Sequence, residues 1–214
     1  MSRPLPVSVL DLAPVLPVVV LHDAADAVPA ARALVAGGLR AVEVTLRTPA
    51  APDAIRAIAA EVPEAVVGAG TVVCAEAVAT AADAGASFLV SPGSTPGLLG
   101  AMRASGLPFL PGASTASEVL ALLEQDVREV KFFPAEAAGG APYLASLAGP
   151  LPRARFCPTG GVTAASAPRY LALPNVPCVG GSWLLPPEAV AAGDWARVEA
   201  LARRAAALGG PGRP

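Results

Sequence analysis

The chain has 214 residues, of which 54% are hydrophobic and 15% charged, and its formal net charge is −2. That length suits one compact domain, and the composition is too apolar for a disordered chain. The small net charge and the scattered arginines argue against a nucleic-acid surface, and the longest apolar run, Val15–Leu21, is far too short to cross a membrane. Residues 1–21 lack the pattern of an export signal, so we expect a cytoplasmic protein.

Short runs rich in Val, Phe and Leu alternate along the chain with alanine-rich segments of helical pattern. We predict eight strands, at Val15–Leu21, Ala41–Arg47, Ala65–Gly70, Phe88–Ser91, Pro108–Pro111, Glu129–Phe133, Arg155–Pro158 and Cys178–Ser182. Helices are predicted in the intervening segments, among them Pro29–Ala36, Pro52–Glu61, Cys74–Ala84, Pro96–Ser105 and Thr115–Gln125. This alternation predicts parallel strands joined by right-handed crossovers.

Eight repeats favour a closed (β/α)₈ TIM barrel, because closure leaves no open sheet edge. A doubly wound open sheet is the alternative. We expect one domain over residues 1–208 and a disordered tail over 209–214, which has no apolar anchor. Prolines are tolerated where a strand stops, so we predict that one rim of the barrel is marked by Pro92, Pro111, Pro134 and Pro158.

The three cysteines, Cys74, Cys157 and Cys178, form no CxxC motif, and we interpret them as buried small hydrophobes. The chain has a single histidine, His22, and no Cys/His cluster. A protein-built zinc site is therefore not expected, and we predict no metal and no cofactor. His22 is interpreted as a solvated loop residue, with a place on the rim near a substrate as the alternative.

Glu43 lies in the second predicted strand. Strict alternation directs Val42, Val44 and Leu46 towards the helices, so that Glu43, Thr45 and Arg47 face the interior. A buried carboxylate needs a cation or a strong hydrogen-bond network. Glu43 is therefore a candidate acid or base, and the alternative is a structural Glu43–Arg47 ion pair.

Lys131 is the only lysine, set against fourteen arginines. In the sixth predicted strand Val130 and Phe132 face the helices, which leaves Lys131 facing the interior. Burial penalises the charged form of an amine, and a neutral amine in a pocket is a carbonyl nucleophile suited to Schiff-base chemistry. An arginine cannot do this, whereas a purely structural ion pair with Glu43 would need only the charge.

Two glycine pairs follow the last two strands, in Thr159-Gly-Gly161 and Gly180-Gly-Ser182. In barrels of this type the loops after strands seven and eight often bind phosphate, because glycine lets backbone N–H groups approach an anion. Glycine pairs are also common in ordinary turns, so the evidence for a phosphate site is their position after strands seven and eight.

The chain resembles the 2-keto-3-deoxy-6-phosphogluconate (KDPG) aldolase family, which includes 4-hydroxy-2-oxoglutarate (KHG) aldolase activity. The likeness runs from about Pro14 to Asp194. It is carried by GGLRAVEVTLRT at 37–48, VGAGT at 67–71, VKFFPAE at 130–136, FCPTGG at 156–161 and VGGSWL at 179–184.

The resemblance implies roles for individual residues. Lys131 would form the Schiff base, and Glu43 would be the acid/base. Arg47 and Thr71 would hold the pyruvoyl carboxylate, and Thr159 would tune stereochemical preference. The implied phosphate and pocket residues are Gly160, Gly161, Gly181, Ser182 and Pro92.

The implied activity is that of a class I aldolase, a carbon–carbon lyase of the Entner–Doudoroff pathway. It would cleave KDPG to pyruvate and glyceraldehyde 3-phosphate, and KHG to pyruvate and glyoxylate. The family resemblance also implies a cytoplasmic homotrimer whose partner is a phosphorylated keto acid. The alternatives are the 6-phosphogalactonate epimer as substrate, an isomerase or epimerase on the same barrel, and a non-catalytic phosphosugar-binding barrel.

Overall fold

The computed structural model of the protein describes residues 8–209. Helices and strands alternate along this range, as the pattern of apolar residues predicts. Gly209 closes a short 3₁₀ turn, Ala207–Gly209, so the predicted disordered tail does not begin there. The rest of that tail, 210–214, lies outside the described residues.

All eight predicted strand segments form strands, and a further short strand follows the fifth directly after Pro111. The strands are β1 Val15–Val19, β2 Ala41–Thr45, β3 Val66–Gly70, β4 Leu89–Val90, β5 Phe109–Leu110, β6 Gly112–Ala113, β7 Glu129–Phe132, β8 Arg155–Pro158 and β9 Val179–Gly181. The division between β5 and β6 falls at Pro111, so the prediction that this proline marks the rim is wrong. Pro111 lies within the sheet, where its carbonyl accepts a hydrogen bond from the Lys131 N–H at 2.9 Å, while its ring removes the donor that a continuous strand needs.

Every pairing in the sheet is parallel, which confirms the α/β class. The hydrogen-bonded order is β5-β4-β3-β2-β1-β9 in one sheet and β6-β7-β8 in a second. The two sheets are continuous along the chain through Pro111, and β8 lies beside β9. In the described chain no ladder joins β8 to β9, so the sheet is curled and barrel-like but is not closed by hydrogen bonds on that side.

Nine helices are assigned within residues 8–209, and they pack against the strands. They are α1 Ala27–Ala36, α2 Ala51–Glu61, α3 Ala75–Asp83, α4 Pro96–Ala104, α5 Ala116–Leu123, α6 Gly140–Leu147, α7 Ala167–Leu171, α8 Pro187–Ala191 and α9 Trp195–Ala206. The five helices predicted from the sequence match α1–α5 to within three residues at each end. None of the helices in this range combines the length and the apolar character needed to span a bilayer.

The buried apolar side chains form two clusters, one on each side of the sheet. The larger joins the outer strand faces to the helices and includes Val42, Val44, Val130 and Phe132, as the alternation predicts. The smaller fills the interior of the curled sheet, and consists of Val9, Leu10, Leu16, Ala41, Phe88, Val90, Leu110, Cys157 and Cys178. The interior is therefore packed with apolar side chains, and the buried Glu43 and Lys131 share it with them.

The cysteine prediction is correct for two residues of three. Cys157 and Cys178 are buried in the inner cluster. Cys74 is exposed, because it lies in the connection after β3, at the residue before α3 begins. The sequence predicted that the helix starts at Cys74, and in the structure Cys74 is the N-cap residue of α3.

Candidate functional site

Lys131 and Glu43 meet inside the curled sheet. The Lys131 Nζ donates a hydrogen bond to the Glu43 Oε1 at 3.1 Å, and both residues are at most 2% exposed. Lys131 is on β7 and Glu43 on β2, so the pair crosses the interior. The alternative pairing of Glu43 with Arg47 is wrong: the carboxylate takes the lysine, and Arg47 is exposed in the turn after β2.

The strand register places the Lys131 side chain on the inner face of the sheet. Lys131 pairs with Gly112 on one side and Cys157 on the other, between Val130 and Phe132, which face the helices. The Lys131 Nζ lies 5.5 Å from the centroid of the Phe133 ring. This distance suits a cation–π contact, and the ring also screens the amine from water.

Glu43 approaches the lysine because β3 carries a glycine beside it. A Cβ at Gly70 would lie 2.1 Å from the Glu43 Oε1 and 2.6 Å from its Cγ, so any larger residue would displace the carboxylate. The second oxygen, Oε2, is buried and has no hydrogen-bond partner among the described residues. An unsatisfied buried carboxylate oxygen is costly and is typical of a functional site, where it can exchange a proton with a reacting group.

Arg47 and Thr71 lie together above this pair, at the C-terminal ends of β2 and β3. The Arg47 Nε donates to the Thr71 Oγ1 at 3.0 Å. Thr71 has a φ of 59°, in the left-handed region that a β-branched residue seldom adopts. Strain of this kind costs about 1–3 kcal/mol and concentrates at functional sites, where the surrounding contacts maintain it.

The turn after β8 holds three predicted site residues. Thr159 is 7% exposed, and its Oγ1 donates to the Cys157 carbonyl at 3.3 Å. Gly160 and Gly161 follow with φ of 98° and 80°. Two consecutive residues with positive φ require glycine, and they turn the backbone sharply at the mouth of the sheet.

The end of β9 brings the second glycine pair against this turn. A Cβ at Gly180 would lie 2.2 Å from the Thr159 Oγ1, and one at Gly181 would lie 1.9 Å from the Trp183 ring. Gly181 is buried and Ser182 is exposed. The close approach brings Thr159 and Ser182 to the same side of the mouth, although β8 and β9 share no ladder.

An apolar cavity of about 430 Å³ opens next to Ser182. It lies between the end of β1, with Val18, Val20 and His22, and the β9–α8 segment. His22 is exposed in the loop after β1, as the sequence predicts, and it also lines this cavity.

Pro92 lies on the opposite side of the mouth, after β4. A Cβ at Gly112 would lie 2.2 Å from the Pro92 carbonyl carbon, so the Ser-Pro-Gly segment rests directly on the start of β6. The buried Ser91 Oγ accepts from the Gly112 N–H at 3.3 Å and holds the same contact. Pro92 is thus part of the rim beside β6, and Lys131 lies on β7, the strand that pairs with β6.

Sequence reasoning did not single out Gly70 or Phe133, although both contact the central pair. Each lies within a motif that carried the family resemblance, VGAGT and VKFFPAE. The functional signal was therefore present, but only the spatial neighbours show what each residue does.

A buried amine hydrogen-bonded to a carboxylate, at the C-terminal mouth of a parallel α/β sheet, is the arrangement that a Schiff-base lyase of the class I aldolase type requires. The model of the family described as KDPG and KHG aldolase matches residues 7–201. The chain belongs to this KDPG and KHG aldolase family.

Similar proteins span the same length. The KHG/KDPG aldolase of Escherichia coli K12 is 53% identical over 198 residues, which are 92% of this chain and 93% of that protein. A crystal structure of the Zymomonas mobilis ZM4 KDPG aldolase with 3-phosphoglycerate is 50% identical, covers 93% of both chains and has a TM-score of 0.87.

One solved structure is informative about covalent chemistry. KDPG aldolase from Legionella pneumophila, with pyruvate captured at low pH as a covalent carbinolamine intermediate, is 42% identical to this chain. The likeness covers 92% of this chain and 96% of that one, with a TM-score of 0.90.

Proposed function

We propose that the chain is a class I aldolase that cleaves KDPG to pyruvate and glyceraldehyde 3-phosphate, and KHG to pyruvate and glyoxylate. The observation that carries this proposal is the buried Lys131–Glu43 pair, with 3.1 Å between Nζ and Oε1. Relatives about half identical in sequence are named for both activities. The covalent pyruvate carbinolamine of the Legionella enzyme supports an imine route over a metal-dependent one.

The first half of the reaction forms the imine. Transfer of a proton from the Lys131 ammonium to Glu43 frees the lone pair on Nζ, which attacks the C2 keto carbon of the substrate. The resulting carbinolamine loses its hydroxyl as water, and Glu43 returns a proton to that leaving oxygen. C2 and Nζ are then joined as a protonated imine.

The second half breaks the C3–C4 bond. Glu43 accepts the proton of the C4 hydroxyl, C4 becomes an aldehyde, and the electron pair of the broken bond moves into the imine to give an enamine. Protonation at C3 and addition of water to the imine release pyruvate and restore the amine. The protonated imine is the electron sink, so no free carbanion forms.

The two ends of the substrate have different partners. Among the described residues, Nε is the only side-chain nitrogen of Arg47 with a hydrogen bond, to Thr71, so its Nη groups remain available for a bidentate contact with the pyruvoyl carboxylate. Pro92 lines the pocket on the other side. Thr159, buried at the mouth of the sheet, is proposed to influence stereochemical preference.

The phosphate is proposed to bind at the glycine turns. Gly160 and Gly161 have positive φ, and Ser182 follows Gly181 at the end of β9. Backbone N–H groups in such turns, with a serine hydroxyl, suit an anion. The apolar cavity beside Ser182 would exclude water from the same end of the substrate.

Some wider properties belong to the same proposal. We expect residues 1–208 to act as one domain, whose β8–β9 side completes a closed eight-stranded barrel, and the enzyme to be a cytoplasmic homotrimer of the Entner–Doudoroff pathway. The exposed Val73, at 59%, suits a contact between copies. A charged phosphorylated substrate does not cross bilayers. The enzyme is therefore expected in the compartment where the substrate is made, which supports the cytoplasm.

The test is to trap the imine. Borohydride added with pyruvate should reduce the imine and attach one three-carbon unit, which peptide mass spectrometry should locate on Lys131, the only lysine. Lys131→Arg should give no adduct and no cleavage of KDPG while remaining folded. An active wild-type enzyme that yields no adduct would refute the Schiff-base mechanism.

A further inference from the structure

Glu136 is part of the VKFFPAE motif, yet the proposed reaction gives it no role. Both of its carboxylate oxygens are bound. The Arg169 Nη2 donates to Oε1 at 2.7 Å and to Oε2 at 2.8 Å, and the Tyr170 hydroxyl donates to Oε1 at 2.8 Å. A carboxylate with this many partners at the mouth of a sheet is held in one place.

The backbone at Glu136 holds the turn after β8. The Ala135 N–H donates to the Thr159 carbonyl at 2.8 Å, and the Glu136 N–H donates to the Gly160 carbonyl at 3.0 Å. A Cβ at Gly161 would lie 2.8 Å from the Glu136 Cβ and Cγ, so this glycine is in direct contact with the side chain of Glu136. The Thr159–Gly161 turn therefore rests on Glu136.

The side-chain bonds of Glu136 anchor the other end of the same connection. Arg169 and Tyr170 are on α7, the helix into which the turn leads. Tyr170 is fully buried, and burial raises the pKa of its hydroxyl to about 12, so it remains a donor at neutral pH. One residue on the β7–α6 segment thus ties both ends of the β8–α7 connection.

The charge of this group matters because an anion is expected nearby. An isolated carboxylate beside the glycine turn would repel a phosphate, whereas a carboxylate paired with Arg169 is compensated locally. The hydrogen bond from Arg169 holds the pKa of Glu136 below its usual range, so the pair is ionised at neutral pH.

We propose that Glu136, bound by Arg169 and Tyr170, is a positioning residue that shapes the Thr159–Gly161 turn to bind the substrate's phosphate. This inference rests on the proposed function. Glu136 itself does not touch the substrate. The Glu136 side chain contacts Gly161, whereas Thr159 is held by the backbone N–H of Ala135, so the enzyme should need Glu136 for KDPG and not for KHG, which has no phosphate.

The experiment compares the two substrates in Glu136→Ala and Glu136→Gln. Glu136→Ala should raise KM for KDPG by about 10-fold or more, with kcat within about twofold, and leave KM for KHG unchanged. Glu136→Gln keeps an oxygen that accepts from Tyr170 and Arg169, so it should restore KM for KDPG to within about threefold of wild type.

The matched control is Glu199→Ala, which removes an exposed carboxylate paired with Arg203 on α9 and should change neither substrate. If Glu136→Ala does not fold, Arg169→Gln carries the same test, because it leaves the carboxylate uncompensated and should also raise KM for KDPG alone. Equal losses on both substrates, or no loss on either, would overturn the proposal. Wild-type enzyme that forms no pyruvate adduct with borohydride would instead refute the proposed function.

Discussion

The two carboxylate oxygens of Glu43, in the central ion pair, have different surroundings. The Glu43 Oε1 accepts a hydrogen bond from Lys131, while Oε2 has no hydrogen-bond partner in the described chain. Both groups are buried, and taking two charges out of water carries a desolvation penalty that can exceed their mutual attraction. The pair is therefore expensive to maintain, and the open oxygen indicates that proton transfer rather than stability explains why it is there.

The first prediction at this scale concerns Glu43→Gln. The amide is nearly isosteric but cannot accept the proton of the Lys131 ammonium or of the C4 hydroxyl, so kcat for KDPG should fall by about 10²–10⁴. Steady-state kinetics measures this, with circular dichroism to show that the fold is retained. A kcat within about threefold of wild type would exclude Glu43 as the general acid/base.

The second prediction concerns Gly70→Ala. The added Cβ would lie 2.1 Å from the Glu43 Oε1, so the carboxylate must move away from Lys131 and cleavage should become at least about 10-fold slower. Gly100→Ala, on α4, is the matched control, because a Cβ there meets nothing within 4 Å. If both variants cleave KDPG at the wild-type rate, Gly70 has no part in placing the carboxylate.

Among the helices, α5 has the most complete N-terminal cap. Thr115 accepts from the Glu118 N–H at 3.3 Å, and the Glu118 Oε2 accepts from the N–H groups of Ser114 at 2.8 Å and Thr115 at 2.9 Å. These reciprocal bonds form a capping box, and they satisfy donors that the first turn would leave open. The cap begins the helix that leads into β7.

The prediction at the element scale concerns Glu118→Ala, which should lower the free energy of unfolding at pH 7 by about 1 kcal/mol. Backbone hydrogen bonding from Ser114 holds the pKa of Glu118 below 4.5. Its stabilisation is therefore fully present above that pH and is lost as the pH falls through the lowered value. Denaturant melts of both proteins from pH 7 to pH 3 should show the difference shrinking; a constant difference would mean that the carboxylate charge is irrelevant.

At the scale of the whole molecule, the N-terminal segment closes the bottom of the curled sheet. The Ser8 Oγ donates to both Glu129 oxygens, at 2.6 and 2.7 Å. Arg155 donates to Glu129 at 2.6 Å and also to Asp11, and the latter bond raises the pKa of its guanidinium. These bonds tie the 3₁₀ turn Val9–Asp11 to the first residues of β7 and β8, at the end away from the mouth.

Leu10 provides the test of this closure. Its side chain is 1% exposed in the inner cluster, so Leu10→Ala should lower the free energy of unfolding by about 2–5 kcal/mol. Because Leu10 lies in the turn beside the first residues of β7 and β8, away from the mouth, kcat at 25 °C should remain close to wild type. Leu120→Ala, with 48% exposure on α5, is the matched control and should change stability by no more than about 0.5 kcal/mol. A stability loss for Leu10→Ala no greater than the control's would show that this turn does not close the interior.

Local pattern was enough to predict much of this molecule. Alternation within a strand depends only on neighbouring residues, so the sequence by itself determined the order of strands and helices, the inward direction of Glu43 and Lys131, and the glycine turns after β8 and β9. The family motifs added the Schiff-base function, which the comparisons support.

Contacts between distant segments could be decided only by the tertiary structure. Lys131 lies 88 residues from Glu43 along the chain. The local sequence does not determine that the Glu43 carboxylate pairs with this lysine rather than with Arg47, four residues away. The clearance at Gly70 and the break at Pro111 depend likewise on what a neighbouring strand places beside them. Side-chain packing in three dimensions determines such partners, because hydrogen bonds and steric exclusion act over a few ångströms in space regardless of separation along the chain.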